Sequence, residues 1–363
     1  MEAPLHLFDL DLAELRDLIV QWQLPHYRAD QLMSWVYQRG VCDLADMTDI
    51  SKGDRQRLGE RLSLASGRVE TCEVASDGVR KLLLSWPGFG DRSDDRAECV
   101  MIPSEDQNRN TACISSQVGC AVGCRFCASG IGGLDGNLRS GKIVEQVWQL
   151  AHLESVERVT NVVFMGMGEP LANFDQVVRA VRILNAPWGM GISARRMTIS
   201  TVGLPAQIRR LADEQLSVTL AISLHAPNDQ VRRQLIPWAQ YVTIDALLEA
   251  GRYYFDKTGR EVTLEYILLH RVNDQPEHAR ELARIAGQLR SNVNLIRYNE
   301  VSGLPFSRPD SRDVYAFEAI LRKAGVNTHV RASRGRDITA ACGQLRHNRA
   351  ETSAMNEASP MES

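Results

Sequence analysis

Between about residues 106 and 336, short apolar runs alternate six times with amphipathic stretches, and this rhythm limits the fold more than any other feature of the chain. The strand candidates are Ala112–Gln117, Thr160–Met165, Arg196–Ser200, Ser217–Ser223, Glu261–Leu268 and Asn292–Tyr298. Helices are expected at about 140–154, 173–185, 204–213, 229–254, 276–290 and 311–324. Repeated βα units build a parallel sheet through right-handed crossovers. A closed barrel takes eight such units, so six predict an α/β fold with an open, partial (β/α)6 barrel. Sites in these folds form outside the carboxyl ends of the strands.

The flanks read differently. Residues 1–65 suggest a small helical unit: Asp11–Trp22 and Arg28–Arg39 carry apolar residues at helical spacing, Leu24-Pro25 separates them, and Thr48-Asp49-Ile50-Ser51 offers caps for a third helix. Residues 66–105 suggest a β-rich connector with turns at Ser76-Asp77-Gly78 and Pro87-Gly88. A closing segment spans 337–349, and the polar stretch 350–363 is expected to be disordered.

Charge narrows the function. Subtracting 45 acidic from 42 basic side chains leaves −3, which excludes a strongly basic protein but leaves room for a local basic groove. Arg195-Arg196, Arg209-Arg210, Arg232-Arg233 and the stretch from Arg331 to Arg349 are the candidates to meet phosphate. No apolar run reaches about 18 residues, so no membrane helix is expected. Met1-Glu2-Ala3-Pro4 does not begin a signal peptide, so a cytoplasmic, reducing compartment is expected, without structural disulfides among the eight cysteines.

Three of those cysteines crowd into Cys120-Ala-Val-Gly-Cys124-Arg-Phe-Cys127, just beyond the first strand. Chance would produce that spacing about 0.004 times in such a chain, which favours ligation. Soft thiolates select zinc or iron–sulfur clusters. A closed zinc site wants four ligands, and Cys113, Cys99 or a histidine would have to supply the fourth. Three thiolates on a four-iron cubane leave one iron open instead. Gly166-Met167-Gly168-Glu169-Pro170, Ser200-Thr201, Ser223-Leu224-His225 and Asn299 sit at the ends of four other strands, facing the same cleft. In the glycine-rich run, the glycines permit close backbone approach to a ligand, and Glu169 can accept from an ammonium group.

The cysteine triplet resembles the radical S-adenosylmethionine signature. The strings Cys113-Ile-Ser-Ser-Gln-Val-Gly-Cys120, Asn161 to Pro170, Ser223-Leu-His-Ala-Pro-Asn228 and Ala340-Ala-Cys342-Gly-Gln-Leu345 resemble the RlmN/Cfr family of RNA adenine methyltransferases, from about Leu24 to Leu345. The resemblance implies one 4Fe–4S cluster on Cys120, Cys124 and Cys127. It implies S-adenosylmethionine contacts at Gly168, Glu169, Ser200, Ser223, Leu224, His225 and Asn299, with two molecules used per methylation. It also implies that Cys342 accepts a methyl group and carries it to the base, that Glu98 takes the proton lost by the adenine, and that Cys113 frees the product through a transient disulfide. Arg334 and Arg336, upstream of Cys342, are candidates to favour its thiolate. The N-terminal unit, with Tyr27-Arg28-Ala29-Asp30 and Trp35, resembles the family's RNA-binding accessory domain. The implied substrates are 23S rRNA and tRNA, methylated at adenine C2. The implied reductant is flavodoxin- or ferredoxin-like, and the chain is expected to be a monomer. Ala128-Ser129-Gly130 and Val202 depart from some members and leave C8 methylation as an alternative; a zinc-stabilised RNA-binding module without catalysis is another. Cys42, Cys72 and Cys99 are read as packing residues.

Overall fold

The computed structural model describes residues 4–87, 94–104, 109–154 and 156–345. Gly88 of the second expected turn, the last four residues of the closing segment and the 350–363 stretch lie outside these residues.

The N-terminal unit holds β1 (Leu5–His6), α1 (Leu12–Gln21), α2 (Arg28–Met33), α3 (Lys52–Gly59) and β2 (Leu62–Ser63). Asp11 caps α1 by accepting from Glu14 N at 2.8 Å, and the Glu14 carboxylate accepts from Asp11 N in return. Leu15, Ile19, Leu32 and Leu58 are fully buried among these helices. Pairing of β1 with β2 in parallel ties the start of the unit to its end.

Next come β3 (Arg68–Val74), β4 (Arg80–Pro87) and β5 (Asp94–Pro103). They do not make a separate layer. Antiparallel pairing of β5 with β6 (Asn110–Cys113) joins them to the central sheet. After β6, β7 (Gln117–Gly119) and β8 (Leu134–Asn137) form a small hairpin, followed by α4 (Ser140–Ala151). The barrel continues as β9 (Asn161–Phe164), α5 (Phe174–Asn185), β10 (Met197–Thr201), α6 (Pro205–Asp213), β11 (Thr219–Ser223), α7 (Asp229–Leu235), α8 (Ile244–Thr258), β12 (Val262–Leu268), α9 (Pro276–Ala286), β13 (Ser291–Arg297), α10 (Ser311–Lys323) and β14 (Thr328–Arg331). The strands of the ten-stranded sheet lie in the order 14-13-12-11-10-9-6-5-4-3. The part from β6 to β14 is wholly parallel.

Three details differ from the sequence expectation. The helix expected at 229–254 is two helices, because Pro237 lacks the N–H that a continuous helix needs there. The first barrel strand stops at Cys113, and Gln117 belongs to the hairpin. A seventh parallel strand, β14, follows the sixth helix; with four residues and only Thr328 buried, it carries little apolar signal.

Glu145 of α4 joins the three parts. Its side chain is fully buried, with one oxygen accepting from Ser66 N at 2.9 Å and Gly67 N at 2.8 Å. The other oxygen accepts from Trp86 Nε1 at 2.7 Å and lies 3.2 Å from His6 Nε2. The N-terminal unit, the antiparallel strands and the barrel thus meet on one carboxylate.

Candidate active site

The β7–β8 hairpin closes the cysteine loop. Gly119 has φ +75°, Cys120 N donates to Gly133 O at 2.8 Å, and a Cβ on Gly119 would lie 2.1 Å from that oxygen. Within the loop Cys127 N donates to Cys124 O at 3.1 Å. Cys120, Cys124 and Cys127 line one cavity, and all are free thiols. Burial pushes all three thiols above their ordinary range, Cys120 to about 12, and the neighbouring sulfurs reinforce the effect. Buried sulfurs that oppose one another's ionisation suit a cationic centre, which would hold them as thiolates. Among the described residues these sulfurs do not form a group within 4.8 Å of one another. Ligands on one zinc ion sit about 3.8 Å apart.

Opposite the cysteines lie the strand ends. The run after β9 is zipped onto the segment leaving β6: Gly166 N donates to Ile114 O at 3.0 Å, Ser116 N to Met167 O at 2.9 Å and Glu169 N to Gln117 Oε1 at 2.8 Å. Both glycines line the cavity, as expected for close ligand approach, and packing gives a second reason for them. A Cβ on Gly166 would lie 2.6 Å from Ser115 Oγ, and one on Gly168 the same distance from Gln117 Cβ, with φ +103° at Gly168. Gly168→Ala should therefore cost at least about 2 kcal/mol of stability, measured as a lowered denaturation midpoint at unchanged m-value.

Glu169 is buried, with Oε1 accepting from Leu171 N at 3.0 Å and Oε2 from Val202 N at 2.8 Å. Burial pushes its carboxyl up to about 7 despite these bonds. A ligand ammonium in the cavity would favour the ionised form. Ser200 Oγ and Ser223 Oγ lie 3.2 Å apart and line the same cavity. His225 has φ +57°, and its Nδ1 accepts from Ile267 N at 3.1 Å, which assigns the proton to Nε2. Burial, followed by the Arg232 charge, pushes the ring down to about 3, so it is neutral. Leu224 is buried and donates through its backbone N to Glu265 O at 3.0 Å; its side chain is not among the cavity-lining groups.

A second chamber adjoins the first through Cys127, Cys342 and Gly343. Cys113 and Cys342 both line it. The closing segment docks on the cysteine loop: Ala128 N donates to Gly343 O at 2.8 Å and Ser129 Oγ to Leu345 O at 2.7 Å. Asn299 lines this chamber rather than the first, donating from Nδ2 to Cys342 O at 3.3 Å. Burial pushes the Cys113 thiol up to about 12; the charge of Cys342 adds to this, while Arg331 opposes it.

Glu265 was missed from the sequence, and Arg331 was read only as a phosphate candidate. The Arg331 guanidinium lines the second chamber, 3.7 Å from Glu265 Oε2 and 3.6 Å from Met165 Sδ. Its field reaches both Cys113 and Cys342. Arg331 ends the short β14, so recognising the seventh strand would have pointed to it. Arg334 also lines this chamber but is paired elsewhere. Its Nε donates to Asp77 Oδ2 at 2.9 Å, holding the closing segment on the β3–β4 turn, and Arg336 is exposed.

Glu98 does not line either cavity among the described residues. Its carboxylate lies 3.2 Å from Lys81 Nζ, which also lies 3.2 Å from Thr339 Oγ1. Register still places it on the site's side of the sheet. Val100 pairs with Cys113, so Glu98 projects from the same face, one pleat beyond the end of β6.

The expected phosphate contacts need correction. Arg232 is fully buried and donates to the carbonyls of Val202, Leu224 and Val242. Arg209 pairs with Glu249 and Arg210 with Asp175, whereas Arg195, Arg196 and Arg233 are exposed. In the N-terminal unit, Arg28 is buried against Asp54 and Trp35 Nε1 donates to Asp49, so both hold the unit together. Cys99 is buried and Cys42 half-buried, but Cys72 is exposed on β3 and is not a packing residue.

Comparison with known proteins agrees with this geometry. Residues 5–64 match the family model described as the ribosomal RNA large subunit methyltransferase N-terminal domain, and residues 114–283 match the radical SAM superfamily. A Synechocystis protein named probable dual-specificity RNA methyltransferase RlmN is 46% identical over 361 residues, covering 99% of both chains. A Dictyoglomus thermophilum protein of the same name is 42% identical, covering 94% of this chain and 96% of its own. The crystal structure of a radical SAM methyltransferase from Sphaerobacter thermophilus superposes with a TM-score of 0.90 at 44% identity, covering 94% of this chain and 99% of that one. With its three-cysteine loop, strand-end cavity and matched N-terminal unit, the chain belongs to the RlmN family of radical S-adenosylmethionine methyltransferases.

Proposed function

We propose that the protein methylates C2 of adenosine in 23S rRNA and in tRNA. Adenine C2 is an electrophilic amidine carbon, so ordinary transfer from a sulfonium to a nucleophile does not reach it. When bound at Cys120, Cys124 and Cys127, a 4Fe–4S cluster with S-adenosylmethionine supplies one-electron radical chemistry. Glu169, Ser200, Ser223 and the backbone around Gly168 and His225 hold the cofactor in the first cavity. Two molecules are used per turnover, one of them to methylate Cys342. That carbon, once the radical chemistry has removed one of its hydrogen atoms, would bond to C2 of the adenine in the second chamber while Cys342 still holds it, with the surplus electron of the adduct given back to the one-electron chemistry and Asn299 holding the Cys342 backbone. Glu98 accepts the proton from C2. The Cys113 thiolate would attack Cys342 Sγ; the disulfide forms as the sulfur–carbon bond breaks, and the carbon keeps the electron pair, takes up a proton and leaves as the methyl group of the RNA.

The observation that carries this reading is the shared chamber of Cys113 and Cys342, next to the three-cysteine cavity, with Cys127, Cys342 and Gly343 lining both. A zinc-stabilised module has no use for two further thiols lining one chamber there. The N-terminal unit, residues 1–65, serves as the RNA-binding accessory domain, and 66–105 carries Glu98 to the barrel formed by 106–336. The enzyme acts in the cytoplasm as a monomer and takes electrons from a flavodoxin- or ferredoxin-like donor. Among the described residues no helix is long and apolar enough to cross a membrane.

Nucleoside mass spectrometry of rRNA and tRNA from a deletion strain tests the assignment. The expected result is loss of 2-methyladenosine from both RNAs and its return on complementation. Loss of 8-methyladenosine instead would transfer the protein to the C8 branch.

A further inference from the structure

Away from the active site, the turn after β12 faces the first turn of α10. His270, Asp274 and Asp313 offer donor atoms there, all within 4.8 Å of one another. Asp274 is the unusual member. Its side chain is only 2% exposed. Oδ1 accepts from Arg271 N at 3.0 Å and Gln275 Nε2 at 2.8 Å, which fixes the carboxylate plane. Oδ2 lies 3.6 Å from His270 Nδ1, and both atoms are buried without a hydrogen-bond partner among the described residues. An oxygen so oriented and left unpaired is costly unless something else meets it.

We propose that His270, Asp274 and Asp313 bind one zinc ion, with water completing the shell. One imidazole nitrogen and two carboxylates form a borderline donor set that suits zinc better than magnesium or calcium, which prefer oxygen alone. Ligands at 2.0–2.2 Å from zinc lie roughly 3.4 Å apart, so the 3.6 Å separation of His270 and Asp274 is already close to that needed. The two bonds to Asp274 Oδ1 act as the outer support that metal-binding carboxylates usually have. Bridging by the ion ties the β12–α9 turn to α10. Between β13 and α10 runs the loop that holds Asn299 against Cys342 and places Arg308 Nη1 3.3 Å from Asn299 Oδ1. The ion therefore steadies the frame on which the closing segment rests. This role is structural and does not depend on which RNA is methylated.

The test uses the full chain, purified without oxygen and carrying its cluster, so that Cys120, Cys124 and Cys127 are already occupied. Zinc is added at micromolar free concentration by equilibrium dialysis, and zinc and iron are counted by mass spectrometry. The native protein is expected to hold one more zinc per chain than His270→Gln or Asp313→Asn at equal iron content. Zinc should raise its Tm by about 5 °C and leave both variants unmoved. Circular dichroism identical to that of the native chain confirms that the variants are folded; His270 is partly exposed and Asp313 half-buried, so neither anchors the core. Equal zinc in native and variant proteins, or a native Tm indifferent to zinc, overturns the proposal and leaves a histidine–carboxylate contact only.

Discussion

Replacing Cys342 with alanine should abolish methyl transfer, lowering product by at least about 1,000-fold, because the group that carries the methyl carbon is gone. Iron content should be unchanged, since the cluster would rest on Cys120, Cys124 and Cys127. Cys113→Ala should fail later. With Cys113 gone and Cys127 held by the cluster, no thiol is left to attack Cys342 Sγ, and RNA should remain covalently attached to the protein. A ribonuclease-sensitive band that migrates above the free chain on a denaturing gel reads this out, and a Cys113→Ala/Cys342→Ala double variant should lack it. Normal turnover by Cys113→Ala would remove the release step from the mechanism. Burial and the Cys342 charge hold the Cys113 thiol near 12, and Arg331 acts against them. The attacking thiolate therefore has to form beside that guanidinium.

The second large effect is on the fold. Glu145→Ala should destabilise the protein by about 3–5 kcal/mol, because it strips half-buried Ser66 N and Gly67 N and buried Trp86 Nε1 of their acceptor at once. Denaturant titration of the full chain measures this, and a change below about 1 kcal/mol would show that the carboxylate is not the junction of the three parts. The pH dependence has a definite sign. Burial pushes the Glu145 carboxyl up, but His6, Gly67 and Trp86 outweigh it and hold it below its ordinary value. Its stabilising contribution is thus complete above the unfolded carboxyl's range and is lost as pH falls through the folded value. Glu145→Gln should flatten that acid limb.

Much of this architecture was legible because it rests on local regularities. Six βα alternations set the parallel sheet, and the three-cysteine spacing with its strand-end partners marked the cavity. Asp11 with Glu14, Ser51 ahead of α3 and the turn at Ser76–Gly78 act over a few residues and are readable as such. The misread features depend on residues distant in the chain. Arg232 looks like half of a basic surface pair, yet the turn after β11 buries it against three carbonyls. Arg334 lies nearer in sequence to Cys342 than Arg331 does, but Asp77, 257 residues away, claims it.

By itself the sequence determined the alternation of six strands and helices and the ligand loop, while the pair of distant thiols came from resemblance to a family. Periodicity and spacing are local properties, and a linear string preserves them. Only the tertiary structure decided which cation stands beside those thiols, why Gly166 and Gly168 cannot carry side chains, and where the three parts of the chain are fastened. Each of these depends on which backbone and charge a residue meets across the sheet, and burial sets the strength of that meeting.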